Sequence, residues 1–307
     1  MIINKTDARA NITNNLKLVE LQIPLNGLHG ERIDCFIDQI IHSLRRTHYI
    51  DTIKQRDISE ARIYPNNNQF DPLKASIFHF KNNNIDEAIW LIYLSTFFGK
   101  NIDSGWNLLR LVYLGYNSQW TFENISNNFK EFSKWYKESW KEISSTNSKK
   151  NKFGNHRKYS TLDPEKKLNP IDCFEDYIDK VGVNHESLFN FIEENSKIKK
   201  VSKFSLIYKY SNYKGFGRMS KFDFSSMICK IGVIESEIDR AFINKSTGPL
   251  SGLKDLLDNQ NIKPQEAELV FNKINDLLDL GPFRGQVLED AICNWQKSPN
   301  KFKKFSL

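Results

Sequence analysis

The sequence predicts an all-α protein, and three observations carry that reading. Apolar residues recur at i, i+3, i+4 and i+7 along most of the chain, strict period-two alternation is scarce, and capping residues and glycines punctuate the apolar stretches at helix-sized intervals. Any sheet is confined to a short hairpin, and no tandem repeat is present.

The clearest element is residues 33–48, where Ile33, Phe36, Ile37, Ile40, Ile41 and Leu44 form one stripe of a 3.6-residue helix. Asn84 and Glu87 have the spacing of a capping box ahead of the apolar run 85–98, and Gly99 supplies the stop. Ser104 is the cap expected for a helix running to Leu114, with Gly115 as terminator. Thr121 caps the next, which carries Phe122, Ile125, Phe129 and Phe132. Further helices are expected near 134–143, 169–181, 186–197, 202–210, 224–231, 235–243, 249–258, 264–279 and 284–296. In 264–279, Pro264 stands in the first turn and Leu269, Val270, Ile274, Leu277 and Leu278 form the stripe. The polar stretch SSTNSKKNK at 144–152 is the best internal break, and PNNN at 65–68 is a second loop.

A chain of 307 residues has room for one large domain or two modest ones. Its 44 Lys and Arg against 37 Asp and Glu give a net charge of +7, which favours polyanionic partners. Aromatic residues at 13% exclude a disordered chain. Cys35, Cys173, Cys229 and Cys293 are far apart, with no CxxC pair and no histidine at ligand spacing, so no structural zinc, other metal or disulfide framework is expected. A reducing cytoplasm fits that usage. The start MIINKTDARA has no apolar core of a signal peptide, and the longest apolar stretch, Ala88 to Phe98, has 11 residues, so neither secretion nor a membrane span is expected.

Three segments concentrate chemically capable side chains. In Gly154-Asn-His-Arg-Lys-Tyr159, Arg157 and Lys158 can bind phosphate oxygens, Asn155 can hydrogen-bond a base edge, His156 can move a proton and Tyr159 can stack on a base. The bland alternative is a solvated basic loop. In Tyr213-Lys-Gly-Phe-Gly-Arg-Met-Ser-Lys-Phe-Asp223, the glycines let backbone approach a ligand, and Lys214 and Arg218 add charge. Asp223 stands at an expected N-cap, where it is either a plain cap or a carboxylate aimed by helix amides at a developing cation. In Ser246-Thr-Gly-Pro-Leu-Ser-Gly252, Ser246, Thr247 and Gly248 form either an ordinary capped turn or an anion seat at a helix start. The lysine-rich tail KSPNKFKKFSL reads as a solvated terminus or as an accessory arm for phosphate.

Together these segments resemble one family. Gly154-Asn-His-Arg-Lys-Tyr159, Phe216-Gly-Arg-x-x-x-Phe222-Asp223 and Ser246-Thr-Gly-Pro249 are similar to signature motifs of the alpha-glutamyl/putrescinyl thymine pyrophosphorylases, most of all their third clade. Glu87-x-x-Trp90, Phe98-Gly-Lys100, Trp106 and Arg110-x-x-Tyr113 are similar to the family's N-terminal helical motif, and the resemblance spans about residues 75–258. It implies an all-helical fold related to the helix-hairpin-helix DNA glycosylases and action on hypermodified pyrimidines in phage DNA. It also implies a setting in the making of such DNA or in defence against it. The glycosylases' LPGVG-type hairpin is not matched by Lys199-Lys-Val-Ser-Lys-Phe204, so phosphate is expected to be held by Lys214, Arg218 and the Ser246–Gly252 turn.

The organisation expected is an N-terminal helical extension (1–74), a glycosylase-like catalytic domain (75–258) and C-terminal helices with a basic tail (259–307). The favoured function is a cofactor-free, monomeric DNA N-glycosylase that flips out and excises a modified pyrimidine. Asp223 would stabilise the oxocarbenium-like transition state and His156 or Arg157 assist base departure. One alternative is a transferase that displaces a leaving group from activated 5-hydroxymethyluracil with an amine. Lacking a GxxxxGK[ST] loop, it would depend on a separate kinase. The other is a non-catalytic DNA-binding module.

Overall fold

The computed structural model describes residues 4–116, 118–146, 149–157, 159–198 and 201–304. In chain order its helices are α1 (Lys5–Glu20), α2 (Glu31–Thr47), α3 (Tyr49–Lys54), α4 (Pro72–Lys81), α5 (Ile85–Phe98), α6 (Asn107–Leu114), α7 (Phe122–Asn127) and α8 (Phe129–Ser144). A minimal hairpin follows, β1 (Ser145–Thr146) paired antiparallel with β2 (Lys149–Lys150). Then come α9 (Pro170–Val181), α10 (Glu186–Ile198), α11 (Lys203–Tyr210), α12 (Arg218–Ile231), α13 (Gly248–Leu257), α14 (Pro264–Leu278) and α15 (Arg284–Trp295). The protein is all-α, as expected.

The chain divides into two compact units, one of residues 54–235 and one that joins residues 1–53 to 236–307. The two ends of the chain fall in one unit, a pairing that composition does not reveal. In that unit α2 packs along α15, with Phe36 set edge-on to Trp295 at 5.6 Å. Of the polar stretch 144–152, Ser145–Thr146 and Lys149–Lys150 form the β1–β2 pair, within the unit of residues 54–235.

In the unit of residues 54–235, α5 is the central helix. Every residue from Glu87 to Phe98 is buried, because α4, α6, α7 and α12 all pack on it. That all-round burial explains a run that is apolar on every face. Trp90, Tyr93 and Phe97 stack along α5 and meet Phe174 and Tyr177 of α9 and Phe216, which leads into α12.

The caps at Asn84, Thr121, Asn169 and Ser202 form as side-chain acceptors of helix amides, and Gly99 and Gly115 end their helices at positive φ. Several expectations are corrected. Ser104 does not cap α6, because the Asn101 side chain accepts the amides of Asp103 and Ser104 and closes its own turn, so the helix starts at Asn107. Asn128 breaks the stretch from Thr121 into α7 and α8.

Residues 235–242 are not helical, and Ile243 opens a short 3-10 turn. The Ile238 N–H donates to Pro282 O at 2.7 Å and its carbonyl accepts the Gly285 N–H at 2.7 Å, so long-range backbone pairing replaces helical bonds. On α14 the buried stripe is Ala267, Phe271, Ile274 and Leu278, whereas Leu269 is 71% exposed. It stands two residues, about 200°, around the helix from Ala267. Helices α1, α3 and α4 were not expected. The signal for α4 is the Asp71-Pro72 pair, in which the aspartate caps two amides and proline takes the first turn.

Candidate active site

The site is built where α5 ends. Gly99 turns the chain at φ +65°, and a Cβ there would lie 3.2 Å from the Gly154 Cα. A Cβ on Gly154 would in turn lie 2.9 Å from the Gly99 carbonyl carbon. Two glycines thus meet backbone to backbone, and the Gly154 N–H donates to Phe98 O at 2.8 Å. This contact fixes the short 3-10 turn Asn155–Arg157 over the end of α5.

From that turn Arg157 points inward. Its Nε–H donates to Thr96 O at 2.6 Å, Nη1 to His156 O at 3.2 Å and Nη2 to Asp223 Oδ2 at 2.7 Å. The guanidinium side chain is 6% exposed and the carboxylate 42%. Arg157 is therefore a buried anchor for Asp223, not an open phosphate ligand, and the carboxylate is held while part of it remains accessible.

Asp223 is not an N-cap, which corrects the expectation for the helix start. Gly217, in extended conformation, is the cap of α12, and the helix runs from Arg218 to Ile231, placing Asp223 in its second turn. Backbone amides there are already used within the helix, so Arg157 supplies the partner that free amides were expected to supply. Tyr159 sits beside the pair, its hydroxyl 2.9 Å from Ser220 Oγ one turn earlier on α12. His156 and Asn155 are exposed. Asn155 lines an open cavity of about 700 Å³ together with Trp140, Phe153, Lys152 and Lys166. Lys158 lies outside the described residues, as do Lys199 and Lys200.

The remaining expected residues are less uniformly placed. Lys214 Nζ lies 3.3 Å from Asp172, and its backbone N–H donates to Asp176. The Arg218 guanidinium sits over the Phe222 ring at 5.1 Å. Gly215, at φ +82°, is required by packing, since a Cβ would lie 3.1 Å from Cys173 Sγ, while Gly217 faces open space. Ser246, Thr247 and Gly248 belong to the other unit. There the Ser246 hydroxyl donates to Ile243 O and accepts the Leu250 N–H, while Gly248 and Gly252 allow α13 to press against Cys293 and Ile292 of α15.

The sequence reading missed the polar groups that hold this architecture. Glu87 does not reach back to complete a capping box. Its buried carboxyl takes the Tyr113 hydroxyl and the Phe122 N–H, and burial pushes its pKa up to about 7. Buried His185 bridges Asp86 (Nδ1, 2.6 Å) and the Tyr177 hydroxyl (Nε2, 2.6 Å). Burial lowers the His185 pKa, and the hydrogen bond from His185 lowers that of Asp86. A carboxylate inside the apolar run 85–98 was the available signal for Glu87. His185 had none. Trp90 is a buried packing anchor, its indole N–H donating to Trp120 O, whereas Trp106 is half-buried beside a second cavity.

The Arg157–Asp223 geometry unites two of the segments that the resemblance had picked out. The sequence model of the family described as alpha-glutamyl/putrescinyl thymine pyrophosphorylase clade 3 matches residues 31–307. The chain belongs to this family. The match extends beyond 75–258 and takes in residues of both compact units, so the pyrophosphorylase family is defined by more than the site-bearing unit. No curated protein and no solved structure matches the chain. Among the described residues of this family member, no group of His, Cys, Asp and Glu is arranged to hold a metal, and no helix is long and apolar enough to cross a membrane.

Proposed function

We propose that this protein modifies thymine-derived bases in DNA by replacing the pyrophosphate of an activated 5-hydroxymethyl group with an amine. The observation that carries the reading is the Asp223 carboxylate, fixed by buried Arg157 yet 42% exposed, in a chain of a family named for glutamyl and putrescinyl thymine. The amine nitrogen forms a bond to the 5-methylene carbon as the C–O bond breaks, and the bonding pair departs with pyrophosphate. The ammonium proton passes to Asp223 as general base. Arg157 is a positioning residue, and Lys158, Lys214 and Arg218 supply positive charge for phosphates. Asn155, beside the cavity with Trp140 and Phe153, and Tyr159 provide contacts for an extruded base.

A second reading, excision of the modified base, is favoured by the same half-open carboxylate, which can stabilise positive charge on a sugar as readily as accept an amine proton. One experiment separates the two. DNA carrying pyrophosphorylated 5-hydroxymethyluracil is incubated with putrescine or glutamate, and released pyrophosphate, substituted nucleoside and abasic sites are quantified. Pyrophosphate and substituted nucleoside in equal amounts support the displacement. Abasic sites without substitution convert the function to a glycosylase, and neither product leaves a DNA-binding module.

A further inference from the structure

We infer that a small cavity lined by Arg62, Lys100 and Arg110 is a binding site for a compact phosphate polyanion. The cavity has a volume of about 210 Å³ and lies entirely within residues 54–235. It is smaller than the roughly 300–1,000 Å³ of pockets that take drug-sized ligands, so it suits an anion rather than a whole nucleotide.

Its charge is compensated only in part, three cations facing one acid in the lining. None of the three cations has a carboxylate within salt-bridge distance among the described residues. The lining's one acid, Asp71, is committed as the cap of α4, its Oδ1 accepting the amides of Leu73 and Lys74. Three like charges around one cavity repel each other unless an anion joins them. Ser104 contributes a buried hydroxyl that has no partner among the described residues.

Arg110 is set in place for this task. Its Nε and Nη2 donate to Asn107 Oδ1 and its Nη1 to Pro65 O. A guanidinium carries five N–H groups, so two remain for phosphate oxygens in a fork already oriented. Asn107 is itself held by buried Asn151, to whose side-chain oxygen it donates at 2.8 Å. Burial lowers the Arg110 pKa, as desolvation of an unpaired cation requires.

The cavity and the turn that carries Arg157 draw on neighbouring backbone. Lys100 follows Gly99, and its carbonyl lies 3.0 Å from where a Gly154 Cβ would stand, one turn before Arg157. The source of the anion rests on the proposed displacement reaction: it is the pyrophosphate group, gripped while it departs. A phosphate of the DNA backbone would offer the same chemistry.

The test measures binding of inorganic pyrophosphate, orthophosphate and an unmodified DNA duplex to the full chain by calorimetry. Pyrophosphate should bind more tightly than orthophosphate. Arg110→Gln and Lys100→Ala should each weaken it by about tenfold or more, as loss of a charge-assisted hydrogen bond implies, while Lys166→Ala in the neighbouring cavity should not. Lys100 is exposed, so its variant decides the matter if Arg110→Gln melts early. Absence of pyrophosphate binding, or unchanged affinity in a folded Lys100→Ala protein, overturns the inference. A duplex that displaces pyrophosphate and itself loses affinity in both variants assigns the cavity to backbone phosphate and overturns the leaving-group role. Pyrophosphate binding as expected with no amine incorporation would fault the displacement reaction alone. Full incorporation by variants that no longer bind pyrophosphate would keep the binding site and overturn only its role with the leaving group.

Discussion

Arg157 and Asp223 form a 2.7 Å ion pair across 66 residues of sequence in which the guanidinium is buried and the carboxylate is not. The asymmetry separates their roles. The buried arginine turns two more of its donors to the carbonyls of Thr96 and His156, so it belongs to the frame, and the aspartate is the more accessible member.

Asp223→Asn retains an oxygen for Arg157 but removes the charge. We expect a loss of about 1–2 kcal/mol in stability, below the roughly 3–5 kcal/mol of a broken fully buried pair because the carboxylate is partly solvated. Product formation should vanish while DNA affinity holds or rises. Melting temperature, affinity and product are measured separately, and a folded Asp223→Asn protein with wild-type product yield would shift the role to His156.

The Gly99–Gly154 contact makes an opposite prediction for two glycines of the motifs. Gly99→Ala places a methyl group 3.1 Å from the Arg157 Cγ at a φ of +65°, and should cost about 1–3 kcal/mol in strain. It should also lower activity by displacing Arg157. Gly217→Ala meets nothing within 4 Å and has φ −77°, so it should lose no more than about 1 kcal/mol, the preference for glycine over alanine at a helix cap. Chemical denaturation of both variants checks the contrast. Inactivity of a stable Gly217→Ala protein would show that substrate approaches this backbone.

Much of this was legible in the sequence, in physical terms that also explain the failures. Caps such as Asn84 and Thr121 act over three residues, so spacing reveals them. The helical reading of 235–243 failed because Ile238 pairs with a partner more than 40 residues away, to which periodicity is blind. Asp223 was found as a residue of interest for a reason that did not hold, since its partner is Arg157 and not a row of amides. The sharing of one core by α2 and α15 and the small cationic cavity depend wholly on tertiary placement.

The net charge of +7 predicts DNA binding governed by phosphates. If six or more phosphates are contacted, affinity should fall by about 10³ or more between 50 and 200 mM salt. A filter-binding series over that range checks it, and a flat response would count against the DNA partner.

Glu87 and His185 predict opposing pH dependences of stability within one helical unit. The Glu87 carboxyl titrates near 7 in the folded protein against an ordinary value of 4.5. The folded state therefore holds its proton where the unfolded chain has lost it, and stability falls as pH rises from 4.5 to 7, by about 3 kcal/mol in all. His185 works the other way. Its folded value lies below the ordinary 6.5, so the unfolded chain takes up the proton first and stability falls as pH drops below 6.5; Asp86, lowered by its bond with His185, is lost on the same side. Glu87→Gln can keep an acceptor for the Phe122 N–H and a donor for the Tyr113 oxygen while removing the ionisation. Denaturation at half-unit steps from pH 4.5 to 7.5 should show the variant gaining on wild type steadily as pH rises. With the glutamate gone, the remaining slope should be that of His185 together with His79 and His42, whose values burial also lowers, with stability rising toward pH 6.5 and then levelling. Parallel curves for the two proteins would mean that Glu87 is ionised in the folded state and that its hydrogen bonds, not its proton, carry its contribution.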